Sequence, residues 1–171
     1  MSALKTSQLK PNPAGKDKDR SGRASAAQLG AEWVDVKNTS SARVSLEGVK
    51  LYHIAFENGN PARWEVVFAF TGGLDAGKVV RVHSGSGPQS ALRPEDVTGA
   101  DYHLFRDADV YVWNNAEGDK SRLTSTTNGS EEETDKAGYS PNPPEGVALI
   151  RVGDSLVPSG AGAYAAAFGS R

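Results

Sequence analysis

The residues whose spacing best fits a known chemistry are oxygen ligands near the N-terminus. Asp17, Asp19 and Ser21 occupy alternate positions and are followed by Gly22. Oxygen ligands at alternate positions, followed by a glycine turn, begin loops that bind calcium. The last position of an EF-hand loop would be Glu, but it is Gln28 here, and four basic residues surround the carboxylates. A solvated turn is the favoured interpretation, and calcium binding through Asp17, Asp19 and Ser21 is the alternative.

The other candidate residues for catalysis or metal binding lack the sequence spacing that such sites require. His53, His83 and His103 fall in three separate predicted strands, and nothing in their spacing predicts a shared metal. Ser84 lacks the G-x-S-x-G turn that exposes a nucleophilic serine. The sequence therefore predicts no catalytic or cofactor-binding residue and a protein that is not an enzyme. A small hydrolase is the least favoured alternative.

Positive charge is concentrated at the N-terminus, where basic side chains outnumber acidic ones. Nucleic-acid binding through this arm would depend steeply on salt, because neutralising phosphates releases counterions. The net charge of −2 and an acidic cluster at 131–135 oppose that interpretation. A solvated basic arm and a solvated acidic loop are favoured instead. The basic residues of the arm are Lys5, Lys10, Lys16, Lys18, Arg20 and Arg23.

Composition limits the class of protein further. The 171 residues suffice for one domain with a hydrophobic core. No apolar stretch approaches the roughly 18 residues that a membrane span needs. The N-terminus lacks an apolar signal segment, which as written predicts a cytoplasmic protein, or an extracellular one if the natural chain has been trimmed.

Short apolar runs separated by turn residues fill most of the chain. No run shows a sustained helical period, so the sequence predicts an all-β fold, an antiparallel β-sandwich or barrel. Asn58-Gly59 and Asn128-Gly129 are hairpin signals. Loops are predicted at 11–30 and 86–100. Strands are predicted at 32–38, 43–56, 63–70, 78–85, 101–107, 109–114, 120–126, 134–139 and 147–153.

The three tryptophans fall within these predicted strands. Trp33, Trp64 and Trp113 are expected in the core, and a sugar- or base-stacking platform is the less favoured alternative. Within 63–70, Trp64 and Val66 are two residues apart and are expected on the same face as the later phenylalanines.

Four motifs in order resemble the lamin-tail domain as it occurs in bacterial proteins. They are 32-EWVDVKN-38, the corner 44-VSLEG-48, the turn and strand 74-LDAGKVVRVHSGSG-87, and 111-YVWNNAEGDKSRL-123. The resemblance covers residues 11–150 and implies an immunoglobulin-like antiparallel β-sandwich. Val49 stands where that family usually has Trp, and Asp35 replaces the usual Glu.

The resemblance implies a non-enzymatic interaction or structural module. A protein is the favoured partner, bound through loops or a sheet edge, and specificity is expected in the loops 86–100 and 127–138. Nucleic-acid binding through the arm and a calcium-stabilised surface or adhesion module are the alternatives. The predicted organisation is an N-terminal arm or edge strand at 1–10, the sandwich domain at 11–158 and a flexible tail at 159–171.

Overall fold

A computed structural model of the protein describes residues 2–159, so the tail predicted at 159–171 lies outside the described residues apart from Ser159. Two short α-helices, α1 at Ala26–Gly30 and α2 at Pro94–Val97, and a 3-10 helix at Gln89–Ala91 accompany the strands. Within residues 2–159, no helix is long and apolar enough to cross a membrane. The strands are β1 Leu4–Lys10, β2 Trp33–Asn38, β3 Val44–Ser45, β4 Val49–Glu57, β5 Asn60–Ala69, β6 Gly73–Leu74, β7 Val79–His83, β8 Tyr102–Phe105, β9 Asp119–Thr127, β10 Ser130–Tyr139, β11 Leu149–Val152 and β12 Ser155–Pro158.

Ten strands form one curled sheet in the order β5-β4-β9-β10-β12-β11-β1-β2-β7-β8, and β3 pairs with β6. The curl brings strands that are not sheet neighbours face to face: the hydroxyls of Thr6 on β1 and Ser121 on β9 are 2.6 Å apart. Leu9, Val34 and Leu123 lie fully buried in the core between these layers. The predicted all-β, immunoglobulin-like sandwich is confirmed. Two pairings, β7–β8 and β10–β12, are parallel rather than antiparallel.

Both predicted Asn-Gly hairpins are present. Asn58 and Gly59 have φ of 52° and 75° between β4 and β5, and Asn128 and Gly129 have φ of 52° and 78° between β9 and β10. Two successive positive φ values give the turn whose twist matches the flanking strands. The acidic cluster 131–135 continues directly from the second turn, so it lies in β10 and not in a loop.

The N-terminal strand is an inner strand, unlike the predicted arm or edge strand at 1–10. β1 pairs with β2 on one side and with β11 on the other. Leu4, Thr6 and Leu9 are buried. Since β11 begins at residue 149, only the folded chain brings this second neighbour to β1.

Two predicted loops contain short helices. Residues 11–30 end in α1, where the Ser25 hydroxyl accepts a hydrogen bond from the Gln28 amide and caps the helix. Residues 86–100 include the 3-10 helix and α2, which begins at Pro94, a residue suited to the first helical turn. All three helices are too short to give a sustained apolar period.

Residues 109–114 do not form the predicted strand. The carboxylate of Glu32 accepts the backbone amides of Val112 and Trp113 at 2.8 and 3.0 Å. These donors are therefore bonded to a side chain and do not join a strand ladder. Hydrogen bonds to a side chain about 80 positions away therefore take the place of the strand pairing that the local pattern predicts.

The face of β5 also differs from the alternation that the sequence predicts. The register between β4 and β5 shifts between Leu51 and Tyr52, which places an extra residue in β5. Val67 is consequently buried and Val66 is 45% exposed. Trp33 and Trp113 lie in the core as predicted, but Trp64 is only half-buried.

Candidate interaction cleft

A cleft lies at one end of the sandwich, where the loop 11–25 meets the segments 85–88 and 107–112. Its volume is about 850 Å³. Leu29, Val110 and Tyr111 supply apolar surface to its lining, and Lys18 and Arg23 supply positive charge. A smaller cleft of about 310 Å³ adjoins it and shares both basic residues.

A side-chain turn shapes the loop that carries the basic residues. One carboxylate oxygen of Asp19 accepts the amide and hydroxyl of Ser21 at 2.8 and 2.6 Å and the amide of Arg23 at 3.1 Å. These bonds, that of the Ser21 hydroxyl above all, hold the pKa of Asp19 below its usual value. The Tyr111 hydroxyl donates to the Asp17 carbonyl at 2.7 Å and joins this loop to the opposite wall. Burial, the largest cause, raises the pKa of Tyr111 to about 12.

The apolar part of the cleft depends on a close approach between α1 and the end of β7. Gly85 has a φ of +86°, and a Cβ at this position would lie 2.9 Å from the Leu29 Cβ. A larger residue would therefore separate the two segments.

The basic residues predicted as one arm separate into two groups. Lys5 pairs with Asp135 at 3.2 Å, and Lys10 pairs with Asp96 at 2.6 Å with both side chains buried. Neither of these two lysines is a free surface charge. The other four are exposed and make no ion pair with residues 2–159; they are Lys16, Lys18, Arg20 and Arg23.

The residues of the calcium hypothesis are exposed on the same loop. Asp19 and Ser21 are engaged in the turn, and the contact recorded for Asp17 is through its carbonyl. Within residues 2–159, no three or more His, Cys, Asp or Glu side chains are grouped to hold a metal ion. Calcium binding by Asp17, Asp19 and Ser21 stays a prediction.

A buried polar network lies beneath the loop 86–100. The Arg81 guanidinium donates to both carboxylate oxygens of Asp35 at 2.7 and 2.8 Å and stacks on Trp33 at 3.5 Å. It also donates to the carbonyls of Asp96 and Thr98. These contacts attach the predicted loop 86–100 to the sheet through Asp96 and Thr98. In the sequence, the only sign of this network is Arg81, a charged residue inside the apolar run 79-VVRVH-83.

Asp96 completes this network. Its Oδ1 accepts from Lys10 Nζ and, at 2.9 Å, from Trp33 Nε1, while its Oδ2 is buried with no hydrogen-bond partner. Residue spacing alone gave no signal for this contact, because Lys10 and Asp96 are far apart in sequence.

Ser84 donates its hydroxyl to Glu32, the carboxylate that also binds the amides of residues 112 and 113. Burial outweighs these hydrogen bonds and raises the pKa of Glu32 to about 8. Ser84 is therefore hydrogen-bonded to the carboxyl group that holds the backbone of residues 112 and 113.

The three histidines do not converge on one point. His83 Nε2 lies 2.8 Å from His103 Nδ1, and His83 Nδ1 donates to the Gly30 carbonyl. Burial lowers the pKa of His83 to about 4. His53 is paired separately with Asp119 at 3.0 Å.

Comparison with known protein families matches residues 2–141 to the family described as Lamin Tail Domain. The match includes every motif from which the resemblance was drawn, together with the loop 11–25 and the segments that surround the cleft. No curated protein matches the chain.

Proposed function

Since the chain belongs to the Lamin Tail Domain family, a group of immunoglobulin-like domains not known for catalysis, we propose that it is a non-enzymatic interaction module. Its partner is a protein that inserts an acidic segment with apolar side chains into the cleft between the loop 11–25 and Tyr111. One observation carries this proposal: the exposed cations Lys18 and Arg23 line the same cleft as the apolar surface of Leu29, Val110 and Tyr111.

The apolar lining gives the partner a place to bury side chains. Val110 is 54% exposed, and Leu29 and Tyr111 line the same cleft. A volume of about 850 Å³ is within the range of sites that enclose short ligands, roughly 300–1,000 Å³. Burial of Val110 by a partner would remove its apolar surface from water.

The charge at the rim selects an acidic partner. Lys18 and Arg23 line both adjoining clefts. Asp109 also lines the larger cleft, and Lys16, Asp17 and Asp19 also line the smaller one, so basic side chains outnumber acidic ones in each. A carboxylate entering either cleft therefore meets a net positive charge. The bonds made by Asp19 and Tyr111 hold the loop in place before a partner arrives, which lowers the entropy cost of binding.

A protein partner is favoured over nucleic acid for two reasons. Lys5 and Lys10 are engaged in ion pairs, which leaves four of the six basic residues for a phosphate backbone. Asp17 and Asp19 interrupt these four residues in sequence, so the loop lacks the continuous run of positive charge that suits a phosphate backbone.

The test compares fluorescently labelled probes by polarisation: a peptide of alternating acidic and apolar residues, a basic peptide of equal length, and double-stranded DNA. The double variant Lys18→Glu/Arg23→Glu should weaken binding of the acidic peptide by about tenfold or more, about 1.4 kcal/mol. Val110→Asp should weaken it as well. Lys37→Glu, a charge reversal at an exposed lysine of β2 outside both clefts, is the matched control and should have no effect.

Equal weakening by the control would contradict the proposal, as would the absence of acidic-peptide binding. DNA binding that falls steeply with salt and is lost in the double variant would replace the protein partner by nucleic acid.

A further inference from the structure

Strand β5 is an open edge of the sheet. It stands first in the strand order, pairs with β4 alone among residues 2–159, and has ten residues, more than most strands of the fold. The opposite side of its backbone therefore offers hydrogen-bonding groups to another strand. We infer that two copies of the chain associate by antiparallel pairing of their β5 strands, which joins the two sheets into one.

The charges on β5 are complementary to themselves. Arg63 and Glu65 flank Trp64; Arg63 is exposed and Glu65 is partly exposed. In an antiparallel pair centred on Trp64, Arg63 of each copy lies opposite Glu65 of the other, so the two-fold symmetry forms the contact twice. Parallel pairing in register would oppose like charges. The charges that protect this edge from unrelated strands thus specify one orientation of an identical strand.

Within one copy, Arg63 contacts the carboxylates of Glu57 and, at 2.7 Å, Glu65. These exposed ion pairs contribute little to the stability of the single chain, because water screens them. Glu65 also lies 3.6 Å from His53 Nε2 on β4, a contact that the exchange leaves in place. Exchange of the Arg63 partner for Glu65 of the second copy would therefore cost little.

Apolar side chains of β5 match the same register. Trp64 is half-buried beside the Arg122 guanidinium, whose centre is 5.2 Å from the indole ring. Pairing centred on Trp64 sets the two indoles directly opposite each other. Cross-strand aromatic contacts of this kind stabilise antiparallel pairs.

The strand also limits slippage of the pair. Pro61 has no amide donor, and a second register shift with β4, between Ala55 and Phe56, leaves Ala62 as an extra residue. The regular ladder between copies is therefore confined to residues 63–65. A shift of one residue would move the side chains to opposite faces and separate Arg63 from Glu65.

This interface is separate from the cleft. The residues lining the cleft belong to α1 and the loops around it, and none belongs to β5. Failure of either proposal therefore leaves the other standing.

Sedimentation velocity over about a hundredfold range of protein concentration tests the pairing, and the wild-type protein should shift from monomer to dimer. Glu65→Arg places arginines opposite one another and should raise the dimer dissociation constant by tenfold or more. The swap Arg63→Glu/Glu65→Arg restores opposite charges and should restore the dimer. Arg43→Glu, at an exposed arginine paired with Asp75 away from β5, should leave the dissociation constant unchanged.

Hydrogen exchange shows where the copies meet: within residues 63–65, the amides that point away from β4 should become protected as the dimer forms, since the others already bond to β4. A wild-type protein that stays monomeric would overturn the inference. So would a Glu65→Arg variant that dimerises normally, a folded swap variant that stays monomeric, or protection confined to another surface. Far-ultraviolet circular dichroism of each variant verifies that it is folded.

Discussion

Replacement of Lys10 by Met should destabilise the fold strongly, because Lys10 is a core residue despite its place in a basic segment. Its ammonium lies 2.6 Å from Asp96 Oδ1, and the side chains are 6% and 0% exposed. Methionine fills a similar volume but leaves the Asp96 carboxylate buried without a countercharge.

The loss of unfolding free energy can be worked out from the groups that remain around Asp96. After the substitution, Oδ1 keeps the bond from Trp33 Nε1, and Oδ2 has no partner. Removing one member of a buried ion pair costs about 3–5 kcal/mol. For a domain of this size, about 2–4 °C of melting temperature corresponds to 1 kcal/mol, so a fall of roughly 10 °C is expected.

The assay is urea unfolding followed by tryptophan fluorescence, arranged as a double-mutant cycle. Asp96→Asn keeps an acceptor for Trp33 while removing the charge, so Lys10→Met/Asp96→Asn should recover about 1–2 kcal/mol of the loss. Lys37→Met, at an exposed lysine of β2, should change stability by less than about 0.5 kcal/mol.

A loss below about 1 kcal/mol for Lys10→Met would refute the buried pair. The absence of coupling between Lys10 and Asp96 in the cycle would do the same. Lys10 would then be available at the surface, and the basic arm would regain one of its charges.

The remaining predictions concern Asp135 and two glycines. Burial tends to raise the pKa of Asp135, but the hydrogen bonds from Arg151 and the Thr6 amide outweigh burial and lower it. The Asp135 carboxylate therefore stabilises the fold at pH values above its ordinary pKa of 3.8. This stabilisation is lost as the pH falls through the lower pKa of the folded state. Asp135→Asn should therefore cost about 2–3 kcal/mol at neutral pH and progressively less in acid, measured by urea unfolding. Gly118→Ala should cost about 3 kcal/mol or more, because the new Cβ would lie 2.4 Å from the Tyr139 carbonyl oxygen at a φ of +72°. Gly77→Ala, at a φ of +73° with no atom within 4 Å, should cost only about 1 kcal/mol.

Two results would contradict these expectations. A cost for Asp135→Asn that is constant from neutral to acid pH would show that the carboxylate charge is not what stabilises the contact. Equal costs for the two glycine variants would show that backbone conformation alone, and not the close approach of Gly118 to Tyr139, sets the penalty.

Features encoded by neighbouring residues could be predicted from the sequence. Both Asn-Gly turns form as expected, because positive φ is a local property of those residues. Asn38, the last residue of the first motif, ends β2 and accepts the Ser40 amide in the following turn, a contact that is also local. The all-β class follows from the same local patterns.

Features that depend on distant partners were missed. Residues 109–114 alternate like a strand, yet the Glu32 carboxylate takes two of their amides. The bulge between β4 and β5 moves Val66 to the surface, and a strand register cannot be deduced from one strand alone. Lys10 was predicted to be one of the charges of the basic arm, because its partner Asp96 lies elsewhere in the chain. The pairing of Arg81 with Asp35 was not predicted for the same reason.

The sequence by itself determined the all-β class, the two Asn-Gly hairpins and the family resemblance, since each depends on residue types at short, fixed spacings. Only the tertiary structure decided that β1 is an inner strand, which basic residues remain exposed, and that a cleft forms beside Tyr111. The physical reason is that burial, ion pairing and strand order are set by residues far apart in sequence. Their proximity arises only when the sheet curls and its faces pack together.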